Sequence, residues 1–193
     1  MKVWYDWEFL EDGSTIAPIS VGMVAEDGRE LYLVNEEVDD DPLKERIRRH
    51  RWLMANVVPH LPLRDKMTTT GVLAEGGHWG YYNLDLADNR VVSRRFMRNA
   101  IRDFLEASAP VQLWGYYSAY DHVALAQQFG AMINRPSAMP MWTNDIQQIA
   151  AALGLDNSLP AQHGTVHNAL EDARWTRTAW EHLTRGRASE DET

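Results

Sequence analysis

The chain has 193 residues, a length that fits one domain, and 45% of them are hydrophobic, enough to build a sizeable core. It carries 19 Lys and Arg against 28 Asp and Glu, a formal net charge of −9, which argues against a non-specific nucleic-acid coat protein, because phosphate binding needs clustered cations. With no cysteine, disulfides, thiolate zinc sites and cysteine nucleophiles are excluded, and any metal site must use carboxylates and imidazoles, a donor set for hard cations such as Mg²⁺ or Mn²⁺.

Residues 2–9 (Lys-Val-Trp-Tyr-Asp-Trp-Glu-Phe) are rich in aromatic and β-branched types and predict a strand. Two more strands are predicted at 16–25 and 30–35, separated by the hairpin signal Asp27-Gly28, so the chain should open with a three-strand antiparallel meander. Asp41 as cap and Pro42 as first helical position predict a helix to about residue 56, through Lys44, Arg46, Arg48, Arg49 and Arg51. Residues 59–80, with Pro, Thr and Gly76-Gly77, read as a long loop, and residues 81–92 as a short hairpin around Asp88-Asn89. Ser93 should cap a helix to about Glu106, which places Arg94, Arg95, Arg98 and Arg102 with Arg90 in a second basic cluster. Each cluster reads either as a solvated helix face or as an electrostatic path for a polyanionic strand.

Val111 to Tyr117 is an apolar run without alternation, which predicts a strand buried on both faces. Three helices should follow: about 120–128, stopped by Gly130; one from a Thr143 or Asn144 cap to Gly154; and one from about Asn168 to Leu183. Segments 131–142 and 155–166 read as loops. The tail 185–193 has no apolar anchor and is expected to be disordered. A meander followed by strand–helix units implies an α/β fold, a mixed sheet with helices on both faces, in a single domain over 1–184. No window of about 18 apolar residues occurs, and the first eight residues hold one positive charge followed by acids, unlike a secretory signal; a soluble, cytoplasmic protein with no membrane partner is expected.

The chemistry concentrates in acids. Asp6 and Glu8 are two apart on a strand, so their carboxylates share a face. Burying two unpaired anions is costly unless a cation neutralises them; otherwise that face lies at a solvated sheet edge. Asp121 opens the helix after the buried strand, where it is either a plain cap or a group at the strand ends at which sites gather in such sheets. His167 and Asp172, five apart at the start of the last helix, would not share a face of an ideal helix, since five steps turn about 500°. They converge if His167 lies before the first turn and Asp172 on the second. Together, four carboxylates can hold two hard cations about 4 Å apart, and a neutral imidazole beside them can take a proton from water. His122, a neighbour of Asp121, should point elsewhere, because adjacent helical residues diverge by about 100°. His50, His60, His78, His163 and His182 have no acid at a ligand spacing.

This set resembles the DEDDh 3′→5′ exonucleases of the ribonuclease-H-like superfamily. Asp6 and Glu8 match the Asp-x-Glu motif, Asp121 the second acid, and His167 and Asp172 the His-x4-Asp motif. Longer strings are similar to the actinobacterial polyadenylate-specific 3′-exoribonucleases: Tyr5 to Gly13, Ile19 to Gly22, Val24 to Glu30, Ala119 to Leu125 and Val166 to Arg174. The resemblance implies a ribonuclease-H-like fold and release of nucleoside monophosphates from a single-stranded RNA 3′ end, with a preference for poly(A). It also implies two Mg²⁺ or Mn²⁺ ions on Asp6, Glu8, Asp121 and Asp172, His167 as general base, and a homodimer. DNA as the substrate and a non-catalytic nucleic-acid-binding module remain the alternatives. Phe9 follows the first motif directly and reads either as a core aromatic or as a surface for the terminal nucleotide. Two features depart from the family. Trp7 stands where a small residue is usual, on the strand face away from the acids. Residues 64–92, with Trp79, Tyr81 and Tyr82, read as an insertion. Both mark a divergent relative, with a phage-encoded one among the candidates.

Overall fold

Strand β1 (Lys2–Glu11), β2 (Ile16–Ala25) and β3 (Glu30–Asn35) form the antiparallel meander predicted from the strand-forming residues of the first segment and the Asp27-Gly28 turn signal. The structure, a computed structural model, describes residues 1–74, 76–155 and 158–185; the tail expected to be disordered falls, from residue 186 on, outside the described residues. Among these residues six strands make one mixed sheet in the order β6-β3-β2-β1-β7-β8, with β6 (Val91–Val92), β7 (Gln112–Gly115) and β8 (Asn144–Asp145) joining in parallel. β1 is therefore internal, paired with β2 on one side and β7 on the other.

Alternation along β1 sets the two layers. Val3, Tyr5 and Trp7, with Val21 and Met23 of β2, pack against Met97, Ile101 and Leu105 of α3 (Arg94–Ala107) and Leu125 of α4 (Ala119–Gln127). Trp4 and Val24 pack on the opposite side against Leu170, Ala173 and Trp180 of α6 (Ala169–Thr184), and α5 (Ile146–Leu153) lies beside α6 through Ile146, Ala150, Ala179 and Leu183. Helices thus cover both faces, as the sequence predicts, and Trp7 is buried away from the acids. Each fully buried large side chain contributes about 1.5–3 kcal/mol, so Trp4 and Tyr5, both buried, fix β1 firmly.

Four sequence-based expectations are corrected. The predicted helix to residue 56 is two helices, α1 (Leu43–Arg48) and α2 (Arg51–Asn56), with Pro42 as the cap residue of the first. The chain breaks at His50, whose Nδ1 accepts the Leu53 amide at 3.2 Å and so starts a new helix. The predicted loop 59–80 contains a second, two-stranded sheet, β4 (Thr68–Ala74) and β5 (His78–Tyr81), turned at Gly76 and Gly77, both with positive φ. Its strand β5 is clamped to α1: buried Arg48 donates to the Gly80 carbonyl at 2.7 Å, pairs with Glu45, and lies 3.9 Å from the Tyr81 ring centre, while His78 pairs with Glu45. No hairpin forms at 88–89. Asp88 instead accepts from the Arg90 amide and guanidinium, and Val91–Val92 continue into the main sheet beside β3. The α5 cap is Asp145, accepting from Gln147 N at 2.8 Å, while the Asn144 side chain donates across the sheet to the Leu113 carbonyl at 2.8 Å. No helix among the described residues is long and apolar enough to cross a membrane.

Candidate active site

The even-numbered face of β1 that buries Trp4 under α6 also carries Asp6 and Glu8, and both line a cleft of about 360 Å³. Asp121, Asp172 and His167 line the same cleft, with Phe9 on β1 and with His50, Trp52 and Leu53 of the α2 segment. The five chemical residues singled out in the sequence come from three separate stretches of chain, and the fold brings all of them together.

Each arrives by an identifiable local device. Ser118 is the cap residue of α4, so Asp121 is not the cap; its Oδ1 crosses to accept the Trp7 backbone amide at 2.8 Å, and it is 7% exposed. The start of α4 is held by Asp145, whose Oδ2 accepts from Ser118 N at 2.7 Å and from Ser118 Oγ at 3.1 Å. Tyr117 just before it is left-handed (φ 52°). The start of α6 repeats the pattern. His167 is left-handed (φ 65°), Asn168 caps the helix through the Leu170 and Glu171 amides, and Asp172 lies in the first turn, not the second as the sequence predicts. The left-handed turn aims the His167 backbone amide at Asp172 Oδ2, 3.0 Å away, while Gln162 donates to Asp172 Oδ1. Non-glycine residues in this region cost free energy and persist where the surroundings hold them. Here they stand just before the two helices that carry Asp121 and Asp172.

Close approach of α6 to the sheet depends on Gly22. It is opposite Asp6 in the β1–β2 ladder, and a Cβ there would stand 2.1 Å from the Ala169 carbonyl oxygen. Without one, the first turn of α6 rests directly on β2. Ligand atoms of Glu8, His167 and Asp172 consequently all lie within 4.8 Å of one another.

The electrostatics are those of a crowded anion site. Burial first, then Asp172 and Asp121, push the Glu8 carboxyl up to about 8. Burial pushes Asp121 up to about 7 against the pull of the Trp7 amide. Asp6 is raised by burial, then by Asp121 and Glu8, and Asp172 by burial, with Gln162 opposing. None of the ion pairs among the described residues involves these four acids. Oxygen donors, no lysine or arginine paired with them among the described residues, and mutual repulsion together fit hard divalent cations. Half of the cations in the two basic clusters pair with acids outside the cleft: Lys44 with Asp39, Arg46 with Asp12, Arg48 with Glu45, Arg90 with Asp88 and Arg94 with Glu37.

The 3′–5′ exoribonuclease Rv2179c-like domain family matches residues 81–184. Two proteins of Mycobacterium tuberculosis, 3′–5′ exoribonuclease MT2234.1 of strain CDC 1551 / Oshkosh and 3′–5′ exoribonuclease Rv2179c of strain ATCC 25618 / H37Rv, are each similar to this chain. Each is 35% identical over 176 residues, 90% of this chain and 88% of the relative. The chain belongs to the Rv2179c-like 3′–5′ exoribonuclease family.

In this family member several residues in or beside the cleft carry no motif in the sequence. Trp52, 47% exposed, meets the His167 ring edge-on, with centroids 4.7 Å apart at 72°. His50 both lines the cleft and caps α2. His60, set aside for want of an acid neighbour, lies near His167 and Asp172; burial and then the His167 charge lower its pKa. His122 points away from the acids, into a recess with Met132 and Arg135, as expected. No spacing in the sequence links Trp52 to His167, which are 115 positions apart; they meet because α2 and the start of α6 flank the same strand.

Proposed function

We propose that this chain is a 3′→5′ exoribonuclease that releases nucleoside monophosphates from the 3′ end of single-stranded RNA at a two-cation site. The observation that carries the reading is the meeting of Asp6, Glu8, Asp121 and Asp172 in one cleft, with none of the lysine and arginine ion pairs among the described residues made to them. The names of its relatives supply the direction and the nucleic acid. The four carboxylates would hold two Mg²⁺ or Mn²⁺ ions, which when bound supply Lewis-acid stabilisation of the attacked phosphate and the leaving 3′ oxygen. His167 is the general base: an imidazole suits removal of a proton from water near neutral pH, and its ring is kept in place by the left-handed backbone and the Trp52 edge. Asp172 and Gln162 fix the local geometry around it. Phe9 on the cleft floor and Trp52 on its wall offer apolar surface to the terminal base. A preference for poly(A) follows the resemblance stated above, and so does a homodimer, for which the exposed Met132, Ile133, Met141 and Trp142 offer a face.

Matched 3′-labelled RNA and DNA strands incubated with Mn²⁺ test the reading, with poly(A) and poly(U) compared in parallel. RNA label should be lost, and EDTA should stop the loss. Faster loss from DNA makes the chain a DNA exonuclease, and strands left intact make it a non-catalytic binding module. Calorimetry separates the roles. Asp172→Asn should lose Mn²⁺ binding, whereas His167→Ala should bind Mn²⁺ and turn over at least about 100-fold more slowly. The reverse pattern would exchange the two assignments.

A further inference from the structure

We propose that a recess beside the cleft is a second nucleotide subsite, taking the base immediately 5′ of the nucleotide cut off and favouring a base with an exocyclic amino group. The proposal rests on the exoribonuclease reading. The recess, about 280 Å³, lies between the β1–β2 turn and the outer face of α4, lined by Glu11, Ser14, Thr15, Tyr120, Val123 and Gln127. Glu11 lines the cleft as well, so the two spaces share a wall. That wall is aromatic. Phe9 lines the cleft and Tyr120 the recess, and their rings stack with centroids 6.1 Å apart and 14° between planes. Tyr120 is 54% exposed, one position before Asp121, so a flat ring stands at the rim over which a strand leaves the cleft.

The polar groups select the occupant. Ser14 Oγ and Thr15 Oγ1 both donate to the Asp12 carboxylate, at 2.9 and 3.0 Å. Their protons are committed, so they offer lone pairs. Glu11 is an acceptor as well. Glu11, Ser14 and Thr15 thus repel a phosphate and accept from an amino group, the Gln127 amide can accept or donate beside them, and the Tyr120 ring stacks on any base. The phosphate therefore stays at the acids and the base enters the recess. Adenine and cytosine present an amino group on the pairing edge, and uracil does not.

The test uses the whole chain with Mn²⁺ and 5′-labelled RNA pentamers carrying adenine, unsubstituted purine or no base at the penultimate position. Tyr120→Ala should raise KM about tenfold on the adenine pentamer, the low end for one stacked base because the ring is half exposed, and Tyr120→Phe should stay within about threefold of wild type. Removing the penultimate base should raise the wild-type KM by a similar factor, and on that substrate Tyr120→Ala should cost nothing further. Exchanging adenine for purine should cost about fivefold. An undiminished Tyr120→Ala penalty on the abasic pentamer would mean that the ring acts through Phe9, and the subsite falls. Equal KM for adenine and purine removes the amino preference. If sedimentation shows Tyr120→Ala separating two copies of the chain, the ring is a subunit contact and the subsite falls. If wild type shortens no RNA, the exoribonuclease reading falls with it; if it shortens RNA without this coupling, the subsite alone does.

Discussion

Replacing Gly22 with alanine tests whether contact between β2 and α6 assembles the acids. The added Cβ would stand 2.1 Å from the Ala169 carbonyl oxygen, 2.3 Å from its carbon and 2.4 Å from the Leu170 nitrogen. Carbon–oxygen contacts settle near about 3.3 Å, so the first turn of α6 has to lift by about 1 Å. Overpacking of that kind costs about 1–3 kcal/mol, which in a chain of this size lowers Tm by roughly 2–12 °C. The effect on activity should be larger in proportion. Asp172 and His167 ride on that turn while Asp6 and Glu8 stay on the sheet, and a misplacement of about 1 Å can cost about 100-fold in rate. The expected result is kcat/KM on RNA reduced about 100-fold at saturating Mn²⁺, at a temperature where circular dichroism shows the variant folded. Because the clash is with backbone, trimming a neighbouring side chain cannot relieve it, so adding Leu170→Ala should restore nothing. A Gly22→Ala enzyme within threefold of wild type, or one rescued by Leu170→Ala, would refute the argument.

Three further outcomes follow from the same geometry. Glu8 and Asp121 are raised to about 8 and about 7 from ordinary values of 4.5 and 3.8, so between these limits the metal-free fold holds more protons than the unfolded chain. The stability these two groups contribute is fully present below about pH 4 and is lost as pH rises toward about 8; thermal unfolding in EDTA between about pH 5 and 8 should show Tm falling and Mn²⁺ should remove the slope, whereas a Tm that rises over the same range contradicts the burial argument. Arg48→Met removes the donor to Gly80, the Glu45 partner and the contact with Tyr81, and should cost about 2–4 kcal/mol in urea unfolding, with amide exchange fastest over residues 78–81. Asp145→Ala frees the starts of both α4 and α5, so it should cost about 1–2 kcal/mol and lower kcat; Asp145→Asn, which keeps one acceptor oxygen, should recover part of both.

What was legible in the sequence is what local chemistry decides. The meander was readable because β1, β2 and β3 carry strand-forming residues and Asp27-Gly28 supplies their turn, with Gly28 at φ 91°. Asp6 and Glu8 were readable as a pair because a strand has period two. The second hairpin was not, because what fixes it is distant: Arg48, Glu45 and His78 hold β5 to a helix 30 positions earlier in the chain. The break at His50 carries no Gly or Pro and depends on a histidine acting as a cap. In 81–92 the Asp88-Asn89 signal was spent on a turn in which the Asp88 carboxylate accepts from the Arg90 amide, and Val91–Val92 then reach β3.

The candidate site divides along the same line. Motif spacing named the acids and the histidine, because those side chains would do the chemistry. It could not say how His167 and Asp172, five apart and on different faces of an ideal helix, come to share a cleft. The answer lies in residues that do no chemistry. A left-handed backbone at 167 takes His167 out of the helix and returns its amide to Asp172, and a missing Cβ at 22 lets the helix rest on the strand opposite Asp6. A chain that kept all five chemical residues but lost Gly22 would still match the motifs, and its acids would stand too far apart to work together.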